Sequence, residues 1–533
     1  MAPHSDFDTI GQDIVRLPAP GRPPFSKSPP RLLIVGGGNR GKVYAAAIRE
    51  STNGICVGIV EPIAQVRRQF GRNNIWGKNE PSDGQEFEDW SDFIAWEEER
   101  RRKAALGENV PEPVDGIFIC VQDQMHKDVI LGLAPLGIHI MCEKPLATNL
   151  EDCVSIYRSL APSQLFSIGH VLRYTPHNML LRKLLLEDKV IGEIMSVNHT
   201  EPVGWWHFAH SYVRGNWRKE STSAPSLLAK SCHDMDILLW LLCSPPPGSS
   251  KPAHLPSTIS SSGALNYFKK SRKPIAAGNA TNCLSCDYEE TCKFSAKKIY
   301  LGPETKPQVN NKIAVVLPEI EDCIASGGQE AGDKALLAKL RENYDDNTPA
   351  VEISKRGWYG RCVYESDNDV CDDQTVTLTW DEAPIAGEGE TSLEAMTGRG
   401  GKIATLHMVA LTQKICERYT NIYGTEGEIY ADSSTIVVQN FNTRETKTYC
   451  PYVEEGGGHG DGDKGLARQF VLAIDRVKNH DETVEDAQNK YIGCSLEEVI
   501  RSHAMVFAAE EARLKKTVVD FPSWWERVVE QRL

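Results

Sequence analysis

Short apolar runs alternate with helix-forming stretches between residues 31 and 168. Four of these runs, at 32–35, 55–60, 117–121 and 138–142, contain consecutive rather than alternating apolar residues. Continuous apolarity is typical of strands buried on both faces, as in a parallel sheet that helices cover on each side. We therefore predict an α/β domain with a doubly wound parallel sheet over 31–168. Residues 75–113 form a longer connection than such strands require, so we predict an insertion there.

The pattern changes after residue 168. A helix at 179–188 and a strand starting at 194 are followed by apolar strand patterns at 375–380, 403–409, 418–424 and 428–438. These elements predict an α+β domain over 169–533 with an open, mainly antiparallel sheet. A loop at 244–256 and a long cysteine-containing stretch at 267–373 do not fit this plan. We predict one insertion that covers about 244–373.

The first apolar run ends in a glycine turn that leads directly into a helix. Gly36 permits the tight turn, Gly38 lets the backbone approach phosphates, and Gly41 allows close packing of helix and strand. The second run ends at Glu61, which is placed to accept ribose hydroxyls. This spacing predicts a dinucleotide site, with a structural glycine turn as the alternative. NAD is favoured over NADP because a carboxylate repels a 2′-phosphate, although the basic pair at 67–68 weakens that preference.

Composition narrows the function classes. The chain has 533 residues, which is too long for one compact domain, and its formal net charge of −14 argues against a nucleic-acid partner. No apolar stretch approaches the roughly 20 residues of a membrane helix. Residues 1–30 are polar and rich in proline, and they lack the apolar core of a secretory signal. We expect a disordered tail there and a cytoplasmic protein.

Polar residues follow the third and fourth predicted strands. Gln122 and His126 come after the run at 117–121, and Glu143-Lys144-Pro145 comes after the run at 138–142. Together with the glycine turn and Arg173-Tyr174-Thr175-Pro176, these motifs make the chain resemble the Gfo/Idh/MocA family of NAD(P)-dependent oxidoreductases. The resemblance covers about 31–245 and, more loosely, 375–520.

The resemblance implies roles for these residues. Lys144 would contact both cofactor and substrate hydroxyl, Pro145 would follow it in a cis or strained peptide, and Glu143 would anchor the nicotinamide ribose. His126 matches the family histidine after the third strand, or it serves only to cap or pack its helix. The residues expected to bind NAD are Gly36, Gly38, Asn39, Arg40, Gly41, Glu61, Cys120, Gln122, His126, Glu143, Lys144 and Arg173.

His233-Asp234-Met235-Asp236 precedes an apolar helix and resembles the family's His-x-x-Asp signature, whose histidine faces the substrate. With Lys144 as catalytic base, His233 would share the proton or orient the hydroxyl. Many members of the family place an aspartate four residues before that histidine, and this chain has Ala229 there, followed by Lys230. Lys230 either binds an acidic or heavily hydroxylated substrate or pairs with one of the two aspartates.

Aromatic residues are dense around 205–217. Their faces can stack on the C–H faces of a sugar ring, or they can anchor a core or subunit interface. The candidate substrate residues are Tyr174, Trp205, Trp206, His207, Lys230 and Asp236. A glycine-rich loop at 456–463 precedes a helix at 466–477, and its His459 either reaches the site or lies on the surface.

The chain has fifteen cysteines, and three of them form a Cys-x2-Cys-x5-Cys cluster within the predicted insertion. Cys283, Cys286 and Cys292, with Cys362 as the fourth ligand, match a tetrahedral structural zinc site. Cys371 competes with Cys362 for the fourth position. Free thiols and disulfides are the alternatives.

These observations predict an NAD-dependent oxidoreductase that transfers hydride between a secondary hydroxyl of a sugar, cyclitol or polyol and nicotinamide. One alternative is an NAD-dependent glycosidase that oxidises its sugar only transiently. Another is a non-catalytic NAD-binding regulatory protein, but the presence of Glu143, Lys144 and His233 together speaks against it. By resemblance, we expect a homodimer or homotetramer.

Overall fold

The computed structural model describes residues 13–245, 252–302, 312–384, 398–454 and 458–532. Residues 1–12 of the expected tail and residues 456–457 of the glycine-rich loop lie outside this set. The first seven strands are β1 (Asp13–Arg16), β2 (Arg31–Val35), β3 (Ile55–Val60), β4 (Glu86–Phe87), β5 (Gly116–Ile119), β6 (His139–Cys142) and β7 (Phe166–Ile168). The helices among them are α1 (Asn39–Ser51), α2 (Ala64–Asn74), α3 (Trp90–Ala105), α4 (His126–Leu133) and α5 (Leu150–Ser159).

Six of these strands form a parallel sheet in the order β4-β3-β2-β5-β6-β7. The order reverses between β2 and β5, and this is the point at which ligands bind in doubly wound sheets. Strands β2 and β5 are almost entirely buried, as their continuous apolarity predicts. The predicted Rossmann domain is confirmed.

Residues 75–113 are not an insertion. They contain β4 and α3, which are the third strand and third helix of the doubly wound sheet. The error has a physical cause, because a strand of two residues is too short to show an apolar pattern. Helix α3 buries only Phe93 and Glu97, so its sequence resembles that of an exposed helix.

The second domain is built on a ten-stranded sheet in the order β1-β15-β14-β13-β12-β8-β11-β10-β9-β16. Its pairs are antiparallel except β1 with β15 and β11 with β8. Its further strands are β8 (Ile194–Pro202), β9 (Thr258–Ala264), β10 (Asp373–Trp380), β11 (Lys402–Val409), β12 (Tyr419–Gly424), β13 (Gly427–Ala431), β14 (Ile436–Asn440), β15 (Thr446–Cys450) and β16 (Val519–Asp520). The mainly antiparallel second sheet is therefore confirmed, and the single strand predicted at 428–438 is a hairpin of β13 and β14.

The helices that follow residue 168 are α6 (Pro176–Arg182), α7 (Trp205–Phe208), α8 (Ser226–Leu242), α9 (Ala296–Leu301), α10 (Ile320–Arg341), α11 (Ala350–Ser354), α12 (Gly462–His480), α13 (Val484–Ala487), α14 (Leu496–Lys515) and α15 (Phe521–Val528). Of these, α8, α14 and α15 contact strands of the second sheet. Helix α8 packs against α14 and against β8 and β11, so nearly all its residues are buried. Ser231 has non-helical dihedral angles (φ −107°, ψ 15°), and the helix is kinked there.

The cysteine-containing insertion begins and ends at neighbouring positions of the second sheet. Strand β9 ends at Ala264, which pairs with Asp373 at the start of β10. The inserted segment therefore spans 265–372 rather than 244–373, because 258–264 is a strand of the sheet. The sequence Thr-Ile-Ser-Ser-Ser-Gly-Ala carries too few apolar residues to predict that strand.

The structure also differs from the expected tail over residues 13–30. Strand β1 runs parallel to β15 at the edge of the second sheet, and Arg22 Nε donates to the carbonyl oxygen of Thr52. The segment crosses from one domain to the other before β2 begins. Its polar side chains fit this position, because an edge strand is held by main-chain hydrogen bonds and needs little apolar surface.

Candidate active site

The glycine turn lies at the carboxyl end of β2. Gly36 has a φ of +101°, and a Cβ atom there would lie 2.6 Å from the carbonyl oxygen of Cys120. A Cβ atom on Gly41 would lie 2.1 Å from the carbonyl oxygen of Gly36, whereas Gly38 faces open space. The first and third glycines are therefore required for packing, and the second leaves room above the start of α1. This arrangement fits a pyrophosphate held at a helix N-terminus.

Glu61 lies at the end of β3, beside the turn. Its carboxylate accepts hydrogen bonds from the main-chain N–H groups of Gly37 (2.8 Å) and Ile63 (3.0 Å). Arg67 turns away, toward Glu86 (3.2 Å) and the Glu61 carbonyl, and Arg68 is exposed. Of the two basic residues of the sequence analysis, Arg67 is therefore engaged within the protein, whereas Arg68 lies on the surface.

Arg40, in the first turn of α1, connects the two domains. Its guanidinium pairs with Glu143 (2.7 Å) and with Asp463 of α12 (2.5 Å), and it lies over the Tyr44 ring. Burial alone would raise the pKa of both carboxyls, but the charge of Arg40 holds each pKa below its usual value. Both acids are thus negatively charged at the mouth of the predicted dinucleotide site. Asn39 begins α1 beside them and is exposed.

Lys144 follows β6 in a turn whose Lys144–Pro145 peptide is cis, as the resemblance implied. Its Nζ atom donates to the carbonyl oxygen of Ala229 in α8, 2.7 Å away. His126 lies beneath this turn, fully buried, with Nδ1 2.7 Å from the Pro145 carbonyl and Nε2 3.3 Å from that of Val121. Its ring supports the turn and does not open toward the cleft, which favours the packing alternative.

Cys120 and Gln122 flank the same edge. Cys120 is half-buried after β5, and burial together with the Glu143 charge raises the pKa of its thiol. Gln122 is exposed and precedes the short turn at Asp123–Met125. Asp123, which the sequence analysis missed, accepts a hydrogen bond from Trp217 Nε1 (2.8 Å) in the second domain.

His233 lies in α8, one turn after Ala229. Its Nε2 atom is 2.7 Å from Nη2 of Arg418, and its Nδ1 atom is buried without a hydrogen-bond partner. Because an arginine can only donate, Nε2 must accept, and this pattern assigns the ring proton to Nδ1. Burial, with a contribution from the charge of Arg418, lowers the pKa of His233 well below its usual value. The ring is therefore neutral and presents an N–H donor.

Arg418 in turn is fixed by two buried acids. Its Nε atom lies 2.9 Å from Glu201, and it also pairs with Asp234. Lys230 Nζ lies 3.0 Å from Glu201 and 3.0 Å from Cys416 Sγ. Lys230 thus forms an ion pair with neither Asp234 nor Asp236 of its own helix. Its acidic partner is Glu201 on β8.

Two residues of the glycine-rich and aromatic segments reach this region. The His459 ring lies 6.0 Å from the His233 ring, and its Nδ1 atom is 3.1 Å from Asp463. His207 Nδ1 lies 3.7 Å from Cys416 Sγ. Burial and the charges of nearby lysines lower the pKa of His207, so it too is neutral.

The structure places three predicted ligands away from the cleft. Arg173 forms a two-bond ion pair with Asp236 (2.7 and 2.8 Å), and both residues are buried. Tyr174 is buried and donates to the carbonyl oxygen of Ile492. The hydrogen bonds of Arg173, Asp236 and Tyr174 are therefore made with other residues of the protein. They join α8 to the segment before α14. The expected cofactor and substrate roles of these three residues stay predictions.

The tryptophans at 205–206 contact the insertion. Trp206 is buried in a cluster with Tyr300 and Ile313, and Trp205 packs edge-on against Phe294 with ring centroids 5.7 Å apart. Nearby, His210 Nδ1 lies 2.7 Å from the Tyr300 hydroxyl. These contacts favour the core-anchoring alternative for both tryptophans.

All fifteen cysteines are free thiols in the structure, which gives the disulfide alternative no support. Cys283, Cys286, Cys292 and Cys362 line one cavity. Cys371 is buried outside it. Within the described residues, however, no three of these cysteines have their Sγ atoms mutually within 4.8 Å. Tetrahedral zinc requires sulfur–sulfur distances of about 3.8 Å, because each thiolate lies about 2.3 Å from the ion. The expected zinc site has no support in this geometry.

Comparison with known proteins gives two family matches. Residues 31–170 match the model described as "Oxidoreductase family, NAD-binding Rossmann fold", and residues 183–262 match "Oxidoreductase family, C-terminal alpha/beta domain".

Among the described residues, none of the helices is long and apolar enough to span a membrane.

Curated relatives match only the N-terminal part. A 2,7-anhydro-N-acetylneuraminate hydratase of Escherichia coli (strain K12) is 31% identical over 130 residues, which cover 24% of this chain and 34% of the relative. An inositol 2-dehydrogenase of Paracoccus denitrificans is 31% identical over 132 residues, with coverage of 24% and 35%. The chain thus spans about a third of the length of these relatives.

Solved structures extend the likeness in fold to both domains. A levoglucosan dehydrogenase in complex with NADH and levoglucosan has a TM-score of 0.55 at 15% identity, covering 92% of this chain and 99% of that structure. An inositol dehydrogenase homologue with NAD+ from Azotobacter vinelandii has a TM-score of 0.55 at 13% identity, covering 93% and 98%. At these identities the likeness shows the shared two-domain fold alone.

Proposed function

We propose that this chain, which carries both domains of the Gfo/Idh/MocA oxidoreductase family, is an NAD-dependent oxidoreductase. In this proposal it transfers hydride between nicotinamide and a secondary hydroxyl or ketone of a sugar, cyclitol or polyol. The observation that carries the proposal is the position of Lys144. Its side chain extends from the carboxyl end of β6, on the ligand-binding edge of the sheet, and ends on the helix that carries His233.

The geometry suits removal of a proton from a substrate hydroxyl. In oxidation, Lys144 in its neutral form takes the hydroxyl proton at Nζ, and His233 donates its Nδ1 hydrogen to the same oxygen and orients it. Bound NAD supplies the hydride acceptor. Arg418 keeps the histidine proton on Nδ1 (by occupying Nε2), and Glu201 and Asp234 hold Arg418 in place. His233 is thus a positioning donor and Lys144 the base.

Glu61 supports NAD as the cofactor. Its carboxylate is held at the tip of β3 by two main-chain N–H groups, and it has lone pairs left for ribose hydroxyls. A 2′-phosphate would meet that negative charge. Arg40, Glu143 and the start of α1 supply the remaining groups beside the turn.

The substrate class is supported by the relatives' names. Curated and structural relatives include inositol 2-dehydrogenase and levoglucosan dehydrogenase, which act on cyclic polyhydroxylated molecules. The buried donors around His233 and Lys230 fit a ligand with several hydroxyl groups. A screen of NADH formation across cyclitols, anhydrosugars, aldoses and polyols tests the proposal. No nicotinamide reduction or oxidation with any of them would contradict it.

A second candidate is a reaction with no net redox change, such as an NAD-dependent glycosidase that restores its cofactor. Two relatives are named 2,7-anhydro-N-acetylneuraminate hydratase, and Ala229 departs from the dehydrogenase pattern. Product formation from a glycoside or anhydrosugar without accumulation of NADH would favour this candidate. NAD binding without either reaction would instead favour a regulatory protein.

We also propose that the chain associates into a homodimer or homotetramer through the open face of the ten-stranded sheet. Ile403, Tyr419 and Tyr430 lie on that face by strand register and are 48%, 42% and 39% exposed. Light scattering during size-exclusion chromatography measures the mass directly. Ile403→Lys is expected to shift it toward the monomer, and a wild-type mass of one chain would contradict the proposal.

A further inference from the structure

The cysteines of the insertion are brought together by its backbone. Cys283 begins a short turn, Cys286 ends it, and Cys292 ends the next turn. Cys362 is about 70 residues away along the chain, yet its N–H donates to the Thr281 carbonyl (2.9 Å), while the Cys283 N–H donates to the Gly360 carbonyl (2.8 Å). This pair of bonds places the fourth cysteine beside the first.

The four thiols line the wall of one cavity. Apolar side chains complete its wall, among them Ala277, Phe294, Val363 and Tyr364. The sulfur atoms are spread more widely than a single tetrahedral ion allows, since no three of them lie mutually within 4.8 Å. In a cubane cluster each thiolate binds a different iron at a corner of the cube, so the four sulfurs lie farther apart than the ligands of one tetrahedral ion.

A buried cation lies against the same cavity. Arg214 is fully buried and lines it, and its Nη2 atom is 3.3 Å from Cys283 Sγ. Its other partners are the carbonyl oxygens of Arg361 and Phe294, and its Nη1 atom has no hydrogen-bond partner. In the part of the chain that is described, no carboxylate pairs with it. A buried guanidinium without an acid is costly, and an anionic group in the cavity would offset that cost.

We propose that Cys283, Cys286, Cys292 and Cys362 bind a [4Fe–4S] cluster, with Arg214 balancing part of its negative charge. The four thiolates would be its complete protein ligand set. The cluster would hold the insertion against the segment 205–214, which ends at Arg214. This inference does not depend on the proposed oxidoreductase activity.

The test is composition of the purified full-length chain under anaerobic conditions. We expect about four irons and four acid-labile sulfides per chain, visible absorbance from thiolate-to-iron charge transfer, and loss of that absorbance on exposure to oxygen or a chelator. Protein that loses the cluster during purification is to be reconstituted anaerobically with ferric iron, sulfide and a thiol, which reduces part of the iron, before analysis.

Variants connect the metal to these residues. Cys286→Ser and Cys362→Ser are expected to lose most of the iron, whereas Cys323→Ser, a half-buried cysteine of the same insertion outside the cavity, retains it. The wild-type analysis stands even if a cluster variant fails to fold. One zinc per chain without iron, or no iron after anaerobic reconstitution, would overturn the proposal. Full iron retention in Cys286→Ser and Cys362→Ser would do the same.

Discussion

The Nζ atom of Lys144 donates a hydrogen bond to the main-chain carbonyl oxygen of Ala229, 2.7 Å away, and joins the turn after β6 to helix α8. Many members of the Gfo/Idh/MocA family place an aspartate at the position of Ala229. A carbonyl oxygen can orient the lysine but cannot take up a proton. Lys144 therefore has no carboxylate at this position that could accept its proton. The proposed base acts without a proton relay through the residue at position 229.

Replacing Lys144 should abolish most of the turnover. Lys144→Ala removes the proposed proton acceptor while leaving the glycine turn and Glu61 intact, so we expect kcat to fall by about 10² or more with little change in NAD affinity. Steady-state NADH formation and a fluorescence titration with NAD measure the two quantities. Lys127→Ala, which removes a surface lysine paired with Asp152, is the matched control. Unchanged turnover in Lys144→Ala would remove the lysine from the mechanism.

His233 should matter as a donor and not as a titrating base. Burial keeps its pKa well below the usual value, so the ring stays neutral as pH falls through the range where histidine normally titrates. We expect His233→Gln, which keeps an N–H donor, to retain more kcat/KM than His233→Phe. In the profile of kcat/KM against pH, the acidic limb should have the same midpoint in wild type and in His233→Gln. A limb that disappears in that variant would show that the histidine itself titrates.

Glu61 should determine the choice of cofactor. Glu61→Gln removes the negative charge but keeps an oxygen that can accept from the N–H groups of Gly37 and Ile63. We expect this variant to bind NADP about tenfold more tightly than wild type does, roughly 1.4 kcal/mol. Its affinity for NAD should fall by less than that factor. Titration calorimetry with both dinucleotides measures this. Glu86→Gln, which alters the neighbouring partner of Arg67, serves as the control, and tighter NADP than NAD binding by wild type would contradict the assignment.

The buried pair of Arg173 and Asp236 should act on stability. Arg173→Met leaves a buried carboxylate without its main partner, and we expect the free energy of unfolding to fall by about 3–5 kcal/mol. Denaturant unfolding compares it with Arg158→Met, an exposed arginine on α5. Weaker NAD binding at unchanged stability would instead restore the cofactor role that the sequence suggested.

The same pair predicts how stability depends on pH. Burial alone would raise the pKa of Asp236, but Arg173 and His170 hold it below its usual value. The ionised carboxyl therefore contributes its full stability above the unfolded pKa of about 3.9. That contribution is lost as pH falls further, toward the folded value. Wild type should lose stability below about pH 4 more steeply than Asp236→Asn, and equal slopes would contradict this linkage.

The sequence predicted the features that are local along the chain. A glycine turn, the acidic residue at the next strand tip and Glu143-Lys144-Pro145 each occupy a few consecutive residues next to a recognisable strand. The backbone alone then determines that they meet at one edge, because parallel strands end together. These parts of the site could be predicted without knowing the packing.

The remaining site residues come from elements that are far apart in sequence. Arg418 on the edge of β12, Glu201 on β8 and Asp463 in α12 converge only through the sheet order and the return of α12 onto α1. Nothing in their neighbouring residues indicates that contact. A motif resemblance gives the residue types of Arg173 and Asp236 but does not reveal that the two charged residues pair with each other.

The chain crosses between the two domains more than once. Strand β1 starts on the second sheet before β2 starts the first, and Arg40 holds Glu143 and Asp463 together at the other side. A wide hinge opening would break both connections. We therefore expect a dinucleotide bound at the glycine turn beside Arg40 to exchange slowly.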